Sequence, residues 1–175
     1  MNGDGVIDDN DKYVVGHGLA PRLTYGFSLG VEWNGFDFSC LFQGNAGLQV
    51  YWQDKFYMGY INYGDVINKE IAEGAWREGR TNATYPRLLT GLNTLNAQPS
   101  DFWVQNKSYL RLKNVQIGYK IPKKLLQKLD ISQLRLYTSL ENMLTFTSYK
   151  GIDPEISGTT YPTMKQITVG VNVVF

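Results

Sequence analysis

The chain has 175 residues, enough for one domain or a little more, and its 17 Lys and Arg against 16 Asp and Glu leave a net charge of +1, which argues against a nucleic-acid arm or a polybasic membrane patch. A single Cys excludes an internal disulfide framework and a Cys-based zinc site, and a single His leaves His17 as the one imidazole for any catalytic relay. Mean hydropathy is −0.28, no run approaches the roughly 18 apolar residues of a transmembrane helix, and MNGDGVIDDNDK has neither the basic nor the apolar region of a signal peptide.

The first twelve residues read as an EF-hand-type calcium loop, which places oxygen ligands at loop positions 1, 3, 5, 7, 9 and 12 and glycine at 6. With Asn2 at position 3, Asp4 takes position 5, Gly5 position 6, the Val6 carbonyl position 7, Asp8 position 9 and Asp11 position 12. Position 1 would precede Met1, so the loop is expected to be cut by the chain start. The Asp at position 12 resembles the shorter reach of dockerin-type loops. Tyr25, Phe27, Leu29, Val31 and Trp33 then alternate with Thr24, Gly26, Ser28, Gly30 and Glu32, the period-2 pattern of a strand over 23–33. Asn34-Gly35 is the preferred pair for a two-residue type I′ turn. The chain returns through Phe36, Phe38, Cys40 and Phe42; Cys40 reads as a small hydrophobe on the apolar face.

Residues 45–105 form a very long connection. It carries the aromatic cluster Tyr51, Trp52, Phe56, Tyr57, Tyr60 and Tyr63, flanked by Trp76 and Trp103, suited either to a sugar or protein partner or to packing within a large loop. Only 65–76 reads as helical, from the weak stripe Val66, Ile67, Glu70 and Ile71. A strand over 109–121 has Val115, Ile117, Tyr119 and Ile121 on one face, with its alternation disturbed at Leu110 and Leu112 in the manner of a β-bulge. Residues 122–131 make a short connection opening on Pro122, and 132–146 a further strand with Leu134, Leu136, Thr138 and Leu140 in phase. After a loop at 147–164, Ile167, Val169, Val171, Val173 and Phe175 alternate with Thr168, Gly170, Asn172 and Val174.

Long and short connections alternate along the chain. An outer-membrane barrel sorts them this way, with short periplasmic turns and long external loops, whereas a soluble sandwich has no reason to. Strands at 23–33, 111–121, 134–144 and 165–175 supply the roughly 9–11 residues that cross a bilayer when tilted. If Asn34-Gly35 is periplasmic, the last strand runs inward and the chain ends in the periplasm. Trp33, Phe36, Phe38, Tyr119 and Phe175 then fall at the periplasmic edge, where an aromatic girdle belongs, beside Lys120, Lys123, Lys124 and Lys128. Ser28, Glu32, Ser39, Gln43, Gln116, Glu141 and Asn172 fall on the lumen side.

Catalysis finds little support. Gly16-His17-Gly18 is a flexible stretch, and Asp153 and Glu155 around Pro154 read first as exposed turn carboxylates, although a glycosidase pair has the same composition. There is no Walker A loop, GxGxxG or GxSxG.

The ordered segments NGDGVIDDNDK, GLAPRLTYGFSLGVEWNGFDFSCLFQGNAG, SDFWVQNKSYLRLKNVQIGYKIP, LRLYTSLENMLTFTSYKGIDPE and YPTMKQITVGVNVVF resemble the C-terminal part of SusC/RagA-type TonB-linked outer-membrane transporters of Bacteroidota. The resemblance implies an all-β fold, namely about five antiparallel C-terminal strands of a 22-stranded barrel, forming an open curved sheet when isolated. It divides the chain into an external loop at 1–22 and barrel strands at 23–175, with external loops at 45–105 and 147–164. It further implies import of oligosaccharides or peptides with TonB-supplied energy, a SusD-like surface lipoprotein as partner, contact with outer-membrane lipid, and no enzymatic activity. Val171, Val173 and Phe175 resemble the signal read by barrel-assembly machinery. The chain alone is expected not to transport, since five strands leave two open edges. Two other readings stay open: a soluble calcium-dependent carbohydrate-binding β-sandwich, which needs Phe27, Leu29, Val31 and Val169 in a closed core, and a glycosidase using Asp153 and Glu155.

Overall fold

The computed structural model describes residues 3–6, 8–16, 18, 20–51, 67–88, 99–127, 129–156 and 160–175. These fall into two compact units, residues 1–17 with 50–105 and residues 18–49 with 106–175.

The larger unit is a five-stranded antiparallel sheet, ordered β1-β2-β5-β6-β7. Its strands are β1 (Leu23–Trp33), β2 (Phe36–Ala46), β5 (Tyr109–Lys120), β6 (Gln133–Thr147) and β7 (Gln166–Val174); the short β3 (Gln49–Tyr51) and β4 (Val104–Asn106) pair within the long connection. β1 and β2 pair without a slip from Leu23↔Ala46 to Trp33↔Phe36. Asn34 and Gly35 both have positive φ, 48° and 88°, as the type I′ turn inferred from Asn-Gly requires. The β5–β6 connection lies at the same end, with the short helix α2 (Lys123–Leu126) after Pro122. The β2–β5 and β6–β7 connections lie at the other end, so long and short connections are sorted by end of the sheet.

The disturbed alternation in β5 is a bulge. Pairing with β2 skips Lys113 between Leu41↔Asn114 and Phe42↔Leu112, and pairing with β6 shifts between Leu112↔Leu144 and Asn114↔Glu141. One extra residue reverses the parity of a strand. Leu110 and Leu112 therefore share a face with Val115, Ile117 and Tyr119, and the apolar surface stays continuous across the sheet. Opposite the Lys113 region, Asn142 takes φ 55°.

Register then sorts the two faces. Phe27↔Phe42, Leu29↔Cys40, Val31↔Phe38↔Ile117↔Thr138↔Val169 and Trp33↔Phe36↔Tyr119↔Leu136↔Val171 lie on one face. Phe27, Leu29, Val31 and Val169 are exposed there, Val169 by 77%. These are the positions that a soluble sandwich would bury; the structure leaves them bare. Cys40 is buried on this face, in keeping with its reading as a small hydrophobe.

In the smaller unit, α1 (Lys69–Gly74) lies inside the helical stretch inferred at 65–76. Asn68 caps it by accepting the Glu70 N–H at 2.9 Å, and Ile71 on its apolar stripe is fully buried. Ala75 and Tyr85 form a parallel bridge, and the Tyr85 hydroxyl donates to Glu70 Oε1 at 2.7 Å. Trp103 is buried at 2% exposure, edge-on to Phe102 with ring centroids 4.8 Å apart, whereas Trp76 is exposed and stacked under the Arg87 guanidinium.

Candidate functional site: the polar face of the sheet and its loop clamp

The face opposite the apolar one is polar. Ser28, Glu32, Ser39, Gln43, Gln116, Glu141 and Asn172, assigned to the lumen from sequence, all fall on it by register. The groups that organise this face were not among those residues. Asp37 and Arg135, 98 positions apart, form a two-pronged ion pair across β5, with Arg135 Nε donating to Asp37 Oδ2 at 2.8 Å and Nη2 to Oδ1. Both side chains are largely buried. The pair lies directly over Gly118: a Cβ there would sit 2.5 Å from Asp37 Oδ2 and 2.6 Å from Arg135 Nη2. One strand further, the Tyr137 ring lies over Gly170, and Arg135 also rests on the Tyr137 ring at 5.1 Å. Glu32 and Lys120 form a looser, exposed pair at 3.2 Å near the short-turn end.

At the long-loop end a denser network forms. Arg111 is 3% exposed. Its Nη2 donates to Asp153 Oδ1 at 2.7 Å, its Nη1 to Glu155 Oε2, and its Nε to Thr145 Oγ1 at 2.8 Å. Glu155 also accepts from the Tyr109 hydroxyl at 2.8 Å and pairs with the Lys113 ammonium of the bulge at 2.6 Å. Asp153 accepts main-chain N–H groups from Glu155 at 2.8 Å and Thr163 at 3.0 Å. Lys107, buried, donates to the Ile156 carbonyl and faces the Tyr149 ring at 5.5 Å. Burial alone would raise the Asp153 carboxyl, but hydrogen bonds from Arg111, from the Glu155 and Thr163 main chains and from the Thr163 side chain outweigh it, so its pKa lies below the ordinary carboxylate value. Burial depresses the Lys107 ammonium, with Asp153 opposing it.

This corrects the reading of Asp153 and Glu155 as exposed turn carboxylates. Both are held by one guanidinium, and their chemistry is that of a clamp for a loop rather than of a hydrolytic pair. The Asp-Pro-Glu tripeptide was visible in the sequence, but its partner lies 42 positions away on a strand whose parity the bulge reverses.

The inferred girdle residues Trp33, Phe36, Phe38 and Tyr119 come together at the short-turn end of the apolar face, Phe36 and Tyr119 with ring centroids 4.5 Å apart. Val171, Val173 and Phe175 are exposed, Val171 and Val173 in register on that face. Of the loop aromatics, Tyr51 is half-buried in β3, and Trp52, Phe56, Tyr57, Tyr60 and Tyr63 lie outside the described residues, as does His17. In the inferred calcium loop, Asn2 also lies outside them. Gly5 has φ 81°, Asp4 Oδ1 accepts the Val6 N–H at 2.8 Å, and Asp8 with Asp11 forms a capping box on the turn Asp9–Asp11. Among the described residues no three His, Cys, Asp or Glu side chains converge to hold a metal ion.

An open antiparallel sheet, bare and apolar on one side and polar and ion-paired on the other, is a piece of a β-barrel wall. No family model matches the chain. It is, however, similar to TonB-dependent receptor P3 of Formosa agariphila, at 30% identity over 191 residues, 100% of this chain and 18% of that protein. It is also similar to TonB-dependent receptor SusC of Bacteroides thetaiotaomicron, at 27% identity over 99% of this chain and 17% of that receptor. Among solved structures it is similar to the RagAB peptide transporter, with a TM-score of 0.70 and 29% identity over 89% of this chain and 17% of that one. The RagAB peptide importer in its closed-closed state gives a TM-score of 0.70 and 27% identity over 97% of this chain and 20% of that one. By sequence and by fold, the chain corresponds to part of a SusC/RagA-type TonB-dependent receptor barrel. It spans under a fifth of the length of the curated relatives it matches, and those relatives are receptors rather than enzymes.

Proposed function

We propose that these strands form part of the wall of an outer-membrane transporter that imports oligosaccharides or peptides with TonB-supplied energy, in partnership with a SusD-like surface lipoprotein. The observation that carries this reading is the two-faced sheet. Phe27, Leu29, Val31 and Val169 stand bare on a continuous apolar surface, while Asp37, Arg111 and Arg135 are paired on the opposite side. An apolar face of this extent is costly in water and favourable against lipid. The peptide arm rests on likeness to the RagAB peptide transporter, and the oligosaccharide arm on the exposed loop aromatic Trp76. The test is uptake of labelled peptides and labelled oligosaccharides by cells whose receptor contains these strands, with and without functional TonB. Uptake of one class, abolished by loss of TonB or by Val169→Lys, supports the reading; uptake of neither class by the wild type sinks it.

A further inference from the structure

We infer that the β6–β7 loop carries a strap, residues 149–156, latched onto the polar face of the sheet by its Asp-Pro-Glu tripeptide, with Arg111 as the positioning residue. The inference uses the reading above only in calling that face the inner wall of a passage.

An external loop that acted as a free lid would be joined to the strands through its two ends alone. This one is held in its middle. Arg111 grips Asp153 and Glu155 with separate nitrogens while its third nitrogen is held by Thr145 on β6, so the guanidinium is oriented before the loop arrives. The bulge places the Lys113 ammonium on the same side, where it pairs with Glu155. Asp153 then organises the loop itself, binding the N–H of Glu155 and, from the returning limb, that of Thr163. A further tie joins that limb to β6, where Asn142 Nδ2 donates to the Met164 carbonyl at 3.0 Å. A buried, multiply bonded charge cluster of this kind has two discrete states, latched and released, because a half-made cluster strands a buried charge. The strap therefore stays on the wall when other external parts of a transporter move, and it narrows the passage on that side.

The test is hydrogen exchange on the intact receptor polypeptide that contains these strands, purified in detergent. With Arg111→Met, exchange across 149–156 and 160–165 should rise at least roughly tenfold, including the Glu155 and Thr163 amides, while β5 and β6 amides keep wild-type protection. Arg111→Lys, which keeps the charge but not the two-carboxylate grip, should fall between. If Arg111→Met fails to assemble, the double substitution Asp153→Asn with Glu155→Gln keeps the shapes and removes the charges, and the same loop-specific rise is expected. Unchanged exchange in 149–156 and 160–165 overturns the latch. A rise shared equally by β5 and β6 also overturns it, because the cluster would then hold the sheet rather than the strap. Since exchange is read on folded protein, the outcome stands whether or not the receptor imports either substrate class.

Discussion

The ion pair over Gly118 offers a perturbation of a single methyl group. In Gly118→Ala the new Cβ meets Asp37 Oδ2 at 2.5 Å and Arg135 Nη2 at 2.6 Å, well inside contact distance, so carboxylate and guanidinium must part or lift off the strand. Two charge-assisted hydrogen bonds are at stake, and Asp37 and Arg135 side chains are only 16% and 17% exposed. Each such bond contributes about 1.5–3 kcal/mol, and partial exposure and rearrangement recover a share, so a net cost of about 2 kcal/mol is expected. That is a shift of about 30-fold in the folding equilibrium at room temperature. The measurement is urea unfolding of the whole receptor in detergent or bilayer, read by the heat-modifiable mobility of folded barrels in gels. The decisive comparison is a double-mutant cycle. Arg135→Met removes the pair, and the Asp37 carboxylate, no longer held over Gly118, can turn away from the added methyl. Gly118→Ala in the Arg135→Met background should then cost under about 0.5 kcal/mol. Full additivity of the two substitutions would refute the argument that Gly118 is small in order to lie beneath the pair.

Val169→Lys places a charge in the middle of the apolar face and should cost about 2–4 kcal/mol in a bilayer, whereas Thr168→Lys, one residue away on the polar face, should leave folded-barrel yield nearly unchanged; equal losses would contradict the assignment of faces. Gly170→Val drives a side chain into the Tyr137 ring and should lower stability by about 1–3 kcal/mol, with most of the loss relieved in a Tyr137→Ala background, as the same unfolding titration would report. Asp153 has a folded-state pKa below its unfolded value of about 3.9, so its contribution to stability is fully present above that value and is lost as pH falls through the folded pKa. Unfolding titrations between pH 6 and about 3 should therefore show a steeper acid loss in the wild type than in Asp153→Asn, and identical slopes would count against the charged, bonded carboxylate.

Much of the sheet could be read from sequence because strands declare themselves by period. The turn at Asn34-Gly35 needs two positive φ angles, and the residues that tolerate them are adjacent in the chain. The bulge in β5 was legible from the parity change between Leu112 and Val115, a local signal. The ion pairs were not legible. Asp37 and Arg135 meet because three strands align in register, and nothing near either residue marks the other. Asp153 and Glu155 look like any carboxylates beside a proline until Arg111 is placed under them. The one available cue was glycine: Gly118 and Gly170 lie within strands, where glycine weakens the strand unless something lies on it. The aromatic cluster beyond Tyr51 falls outside the described residues, and so the contacts inferred for it stay with the sequence.

The polar face also shows what its glycines permit. Long side chains standing perpendicular to the sheet would hold their charged ends apart from one another in front of it. Here the largest polar groups lie flat instead: Arg135 reaches sideways across Gly118 to Asp37, and Tyr137 lies along Gly170. Each glycine removes the Cβ that would hold its neighbour upright, and each flat side chain covers the backbone that the glycine exposes. Asp37 and Arg135 thereby satisfy each other within the face. The exception is the long-loop end, where Lys107, Arg111 and Lys113 outnumber the two carboxylates of the strap. Releasing the strap would strip Arg111 and Lys113 of both carboxylates and Lys107 of the Ile156 carbonyl, so the same latch that fixes the loop also satisfies the cations beneath it.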